Sequence, residues 1–134
     1  MESSTTISPA RVLVLDDDFG IRTLLEMTFS LDARFELVKA AGTAAELRQA
    51  LQDADPVTIN AVLVDVTLPD ANGVELITEL RPILPHARLA LFTGWSDPKL
   101  NEQAREAGAD AVFQKDGDPA RLLDGLAALI ASDD

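Results

Sequence analysis

Arg11-Val12-Leu13-Val14-Leu15-Asp16-Asp17-Asp18 reads as a strand that stops abruptly at three acids. An almost unbroken Val/Leu run, without polar residues at alternate places, is what a strand buried on both faces requires, and such strands belong to parallel sheets covered by helices. The same form recurs downstream. Ala61-Val62-Leu63-Val64 runs into Asp65, Leu89-Ala90-Leu91-Phe92 into Thr93, and Ala111-Val112-Phe113-Gln114 into Lys115.

Helical patterns separate these runs, and the alternation predicts an α/β domain. The first helix is expected from Phe19 to Leu31, capped by Asp18, with Ile21, Leu24, Leu25, Thr28 and Phe29 inward. Phe35 to Lys39 alternates with Glu36 and reads as an edge strand. Thr43-Ala44-Ala45-Glu46 has capping-box spacing and opens a helix to about Gln52. Asn60 to Val64 is the third strand, and Asn72 caps a helix with Val74, Leu76, Ile77 and Leu80 inward, ended by Pro82 and Pro85. Arg88 to Phe92 is the fourth strand, Asp97-Pro98 opens a helix that ends at Gly108, and Asp110 to Gln114 is the fifth strand. Asp118-Pro119 opens the last helix, with Leu122, Leu123, Leu126, Leu129 and Ile130 on its apolar face. Right-handed crossovers make these five units a flavodoxin-like, doubly wound, five-stranded parallel sheet of order 2-1-3-4-5 with five helices. In that order Asp16, Asp17 and Asp65 meet at the switch point, outside the carboxyl ends of the strands.

The chain has 134 residues, 47 % of them hydrophobic, which suits one domain. Met1 to Ala10 is expected to be a mobile tail, residues 11–131 the domain, and Ser132-Asp133-Asp134 a solvated acidic end, with no output domain attached. A net charge of −12 argues against direct nucleic-acid binding, which rests on Lys and Arg neutralising phosphates. The absence of cysteine excludes thiol redox chemistry and thiolate metal sites. No signal peptide or apolar span of roughly 20 residues is present, so a cytoplasmic protein is expected.

Three carboxylates held together repel one another, and a divalent cation relieves the repulsion. All-oxygen ligands beside phosphate favour Mg2+, and Mn2+ fits the same donors. Asp65 can attack a phosphoryl group and form an aspartyl phosphate. Lys115 can hold a second phosphoryl oxygen and the Thr93 hydroxyl a third. Each residue alone has a plainer reading: a helix-start acid, a strand-end acid, a turn threonine, a solvated lysine. Their joint placement at the ends of neighbouring strands favours the chemical one.

Asp16-Asp17, Asp65-Val66-Thr67-Leu68-Pro69 with Gly73, Thr93-Gly94, Gly108-Ala109-Asp110 and Lys115 together resemble the receiver domain of bacterial two-component response regulators, over about residues 10 to 131. The resemblance implies that Asp65 accepts a phosphoryl group from a histidine kinase or histidine phosphotransfer protein. It implies metal binding by Asp17 directly, Asp16 through water, Asp65, and the backbone carbonyl of Thr67. Thr93 becomes a switch hydroxyl, Lys115 the partner of the phosphoryl group, and a downstream protein reads the altered surface. Catalysis is confined to the chain's own phosphorylation and dephosphorylation.

Two positions depart from the family pattern. Val112 stands where receivers commonly carry Tyr or Phe, with Phe113 one place later on the other face of the strand. Asp116 stands where a proline commonly follows the lysine, and without proline a cis bond would cost about 2.5–4 kcal/mol, so a trans peptide is expected. Three other readings compete. A haloacid-dehalogenase-like phosphatase needs an acid two residues after its nucleophile, where this chain has Thr67. A flavodoxin-like carrier needs a phosphate loop after the first strand, where this chain has acids. A receiver-like module that works without phosphorylation is the third.

Overall fold

The computed structural model describes residues 8–95 and 97–132. Most of the expected tail, Met1 to Ile7, and Asp133-Asp134 of the expected acidic end lie outside the described residues. Five strands, β1 (Ala10–Leu15), β2 (Phe35–Ala41), β3 (Ala61–Asp65), β4 (Arg88–Thr93) and β5 (Ala111–Gln114), form one parallel sheet of order β2-β1-β3-β4-β5. Each strand leads to a helix: α1 (Phe19–Ser30), α2 (Ala44–Ala54), α3 (Gly73–Ile83), α4 (Pro98–Ala107) and α5 (Pro119–Ala131). A single 3-10 turn, Pro56–Thr58, precedes β3.

The sheet divides the core into two apolar layers. Leu13, Leu15, Val62, Val64, Leu89 and Leu91 face α2, α3 and α4, while Val12, Val14, Leu63, Ala90 and Phe92 face α1 and α5. Every residue of β3 is buried, as a central strand covered on both sides must be.

Capping follows the expected residues. Asp18, Thr43, Asn72, Asp97 and Asp118 all accept hydrogen bonds from first-turn N–H groups. Gly108 closes α4 at φ 107°, in the left-handed region.

Four expectations need correction. Leu24 is 47 % exposed, because the inward line of α1 runs through Leu25 and Phe29, and Leu24 is turned about 100° from Leu25. Pro82 does not end α3 but sits in its last turn, where the missing N–H costs only the i+4 donor of the Thr78 carbonyl before the helix stops at Ile83. β2 continues two residues past Lys39. Its register shifts between Val12↔Leu37 and Leu13↔Lys39, leaving Val38 as a bulge that breaks the alternation the sequence shows. β1 also starts one residue early, with Ala10 N–H donating to the Arg34 carbonyl at 2.9 Å.

Candidate phosphoryl-transfer site

β1 and β3 are neighbours, so the acids after Leu15 and the acid that ends β3 meet at one edge of the sheet. Carboxylate oxygens of Asp16, Asp17 and Asp65 lie within 4.8 Å of one another. Asp16 is fully buried and Asp65 nearly so, whereas Asp17 is exposed. From the residue after β5, Lys115 reaches across: its Nζ stands 2.7 Å from Asp16 Oδ2 and 3.3 Å from Asp65 Oδ2.

Burial and charge together set the titration of Asp65 and Lys115. Burial raises the Asp65 pKa above the usual carboxylate value, the Asp16 charge adds to this, and Lys115 offsets part of it. Burial alone would lower Lys115, but its ion pairs with Asp16 and Asp65 outweigh that and hold its pKa above the ordinary lysine value. Three carboxylates against one ammonium leave two negative charges, the charge of one divalent cation. The donors are all oxygen, and Asp16 Oδ2 is buried with an ion pair to Lys115 that lacks hydrogen-bonding angles. The residues therefore fit a hard cation.

The backbone around the acids is fixed from several sides. Asp16 Oδ1 accepts from Asp18 N–H at 2.9 Å, and Arg22 Nη1 donates to the Asp16 carbonyl at 2.7 Å. Thr67 N–H points to Asp65 Oδ1 at 3.4 Å, and Thr67 bridges to Asn72 across the loop after β3. Thr93, at the end of β4, is buried; its Oγ1 accepts from Trp95 N–H at 3.4 Å, and its carbonyl accepts from Lys115 N–H at 2.7 Å. The structure thus brings Asp16, Asp17, Asp65 and Lys115 into one cluster, with the Thr67 backbone tied to Asp65 and the Thr93 backbone tied to Lys115. Trp95 is 59 % exposed beside Thr93. The peptide after Lys115 is trans, since no cis bond occurs among the described residues.

Sequence reasoning missed three supports. Asp70, in the loop after β3, accepts from Ala44 N–H at 2.9 Å and Ala45 N–H at 3.2 Å, tying that loop to the start of α2. No local pattern signals this, because the partners are far apart in sequence. In the sequence Gly73 is only a motif residue; a β-carbon there would lie 2.1 Å from the Asp65 carbonyl oxygen, so α3 starts directly against the acid's own backbone. Phe92, one residue before Thr93, places its ring centroid 5.3 Å from Lys115 Nζ.

Residues 12–127 match the response regulator receiver domain family, and the chain belongs to that family. It is therefore a module of phosphorylation-dependent two-component signalling rather than a conventional enzyme, and its acidic cluster is of the kind that binds Mg2+ in receivers. Among its relatives, the chemotaxis protein CheY of Thermotoga maritima is 28 % identical over 116 residues, covering 87 % of this chain and 93 % of that protein. An uncharacterized transcriptional regulatory protein of Bacillus subtilis, YhcZ, is 26 % identical over 113 residues, but this chain spans only 51 % of its length. The crystal structure of a LuxR-family two-component response regulator from Aurantimonas sp. SI85-9A1 superposes with a TM-score of 0.81 at 28 % identity, covering 92 % of this chain and 86 % of that one.

Proposed function

We propose that Asp65 is the phosphoacceptor of this receiver, with a histidine kinase or histidine phosphotransfer protein as donor. In the transfer, a carboxylate oxygen of Asp65 attacks phosphorus while the bond from phosphorus to the donor imidazole nitrogen breaks. The electron pair leaves with the imidazole, which takes up a proton. Attack by water on phosphorus later restores the carboxylate and releases inorganic phosphate. Lys115 holds one phosphoryl oxygen and the Thr93 hydroxyl donates to another. Asp17, Asp65 and the backbone carbonyl of Thr67 would hold Mg2+ directly and Asp16 through water, with Mn2+ as a substitute. Bound there, the ion supplies positive charge to the phosphoryl oxygens.

The observation that carries this reading is the convergence of Asp65 Oδ2 and Asp16 Oδ2 on Lys115 Nζ, at 3.3 and 2.7 Å. An ammonium in that place can exchange a carboxylate partner for a phosphoryl oxygen without leaving the site. The phosphorylated module then acts on a downstream protein by direct contact. A cytoplasmic location and a domain bounded near residues 11 and 131 belong to the same reading.

Incubation with acetyl phosphate and Mg2+, followed by mass spectrometry, tests it. The expected result is one phosphoryl adduct on the wild type and none on Asp65→Asn. Equal labelling of the two, or none on the wild type, would refute it.

A further inference from the structure

One guanidinium grips the backbone of the acidic loop. Arg22, in the first turn of α1, donates from Nη1 to the Asp16 carbonyl at 2.7 Å, and its Cζ lies 5.8 Å from the centroid of the Phe19 ring, a contact that helps to hold it. The same group occupies the space over Gly42, which lies between β2 and α2. A β-carbon built on Gly42 would stand 2.8 Å from Arg22 Nη1, 3.2 Å from Arg22 Cζ and 3.4 Å from Glu46 Oε1. The Gly42 φ is not positive, so the backbone itself does not call for glycine there. What the missing side chain leaves is room for the guanidinium. Gly42 is itself fixed: its N–H donates to Glu46 Oε1 at 2.6 Å, and the Ala41 carbonyl just before it accepts from Asp16 N–H at 3.0 Å.

The peptide that Arg22 grips joins Asp16 to Asp17. Lys115 pairs with the carboxylates of Asp16 and Asp65, whereas Asp17 is exposed and is aimed by that peptide. Turning the peptide plane would swing Asp17 away from the other two acids, to which it now presents an oxygen within 4.8 Å. Charge alone gives the opposite expectation. A guanidinium this close to the acids repels a bound cation, so its removal should tighten metal binding.

We propose that Arg22 is a positioning residue for the metal ion: seated over Gly42, its guanidinium fixes the Asp16–Asp17 peptide so that the Asp17 carboxylate stays with those of Asp16 and Asp65. Mg2+ as the ion rests on the metal reading of this site; the hold on the peptide does not.

Titration of Mg2+ into the full chain, followed by calorimetry, reads the effect. Groups that hold a metal ligand from outside commonly carry about 10–100-fold of the affinity, and Arg22→Ala is expected to weaken Mg2+ binding by about tenfold. Gly42→Ala leaves every charge in place. Its methyl group meets only the ends of flexible side chains, so the variant should melt in EDTA close to the wild type. The displaced guanidinium should nevertheless weaken Mg2+ binding about as much as its removal does. Because both changes act on one contact, the double variant should bind no more weakly than Arg22→Ala. Mg2+ binding unchanged or tighter in either single variant would overturn the proposal, as would a Gly42→Ala effect that persists in full once Arg22 is gone. If the wild type takes up no Mg2+, the metal reading is what fails, and nitrogen-15 spectra in EDTA decide the hold on the peptide. The Asp17 amide nitrogen, bonded to the Asp16 carbonyl carbon, is expected to shift in the same direction in both single variants. An Asp17 signal unmoved in either one overturns the proposal.

Discussion

Replacing Gly73 with alanine adds one methyl group, and the structure says where it must go. The new carbon would lie 2.1 Å from the Asp65 carbonyl oxygen, 2.8 Å from Val66 Cα and 2.9 Å from the Asp65 carbonyl carbon. All three neighbours are backbone, so no side chain can swing aside, and either β3 or the start of α3 has to move. Overpacking of this kind costs roughly 1–3 kcal/mol, occasionally more. Alanine returns at most about 1 kcal/mol through helix propensity, and less at the first position of a helix. A net loss of about 2 kcal/mol follows, which lowers the melting temperature of a chain this long by about 6–8 °C.

Gly94 is the matched control. Nothing lies within 4 Å of a β-carbon built there and its φ is not positive, so Gly94→Ala is expected to be neutral or slightly stabilising. Urea unfolding followed by circular dichroism measures both variants. A Gly73→Ala protein as stable as the wild type, or one no less stable than Gly94→Ala, would refute the argument that α3 is seated on the Asp65 backbone.

Lys115→Met leaves the fully buried Asp16 without its cation, so about 3 kcal/mol of stability should be lost at pH 7, read by urea titration in EDTA; Mg2+ should restore part of it. Because the Lys115 pKa is raised, the stability it contributes is complete below the ordinary lysine pKa and declines as pH rises through its own value. For Asp65 the sign is reversed. Its raised pKa means that ionisation in the fold costs stability, a cost complete above the folded pKa and removed as pH falls towards the ordinary carboxylate value. Asp65→Asn should therefore melt higher than the wild type at pH 7, with the gap closing in acid; a lower melting temperature at pH 7 would contradict the burial argument. Trp95 is exposed two residues after Thr93 and gives its N–H to the Thr93 hydroxyl; on the phosphoacceptor reading its bulk limits the approach of water, so Trp95→Ala should shorten the life of the aspartyl phosphate. An unchanged or longer lifetime, followed by loss of the adduct mass, would rule that role out.

Much of the fold was legible because its determinants are local. Unbroken Val/Leu runs marked doubly covered strands, and Asp18, Thr43, Asn72, Asp97 and Asp118 marked helix starts, since a cap acts within three residues. Right-handed crossover then ordered the strands, and with the order came the meeting of Asp16, Asp17 and Asp65. Sequence by itself thus determined the architecture and which chemical groups share one end of the sheet.

Tertiary structure alone decided how those groups are held. The capping of α2 by Asp70 crosses 25 and 26 residues, the Lys115–Asp16 pair joins opposite ends of the chain, and the bulge at Val38 depends on the register of β1 against β2. The half-buried ring of Phe113 above Gly125 depends on how α5 lies on β5. Periodicity assigns a residue to a face of its own element. Distance, burial and charge balance between elements arise only when the faces are packed together, and those quantities set the state of Asp65 and Lys115.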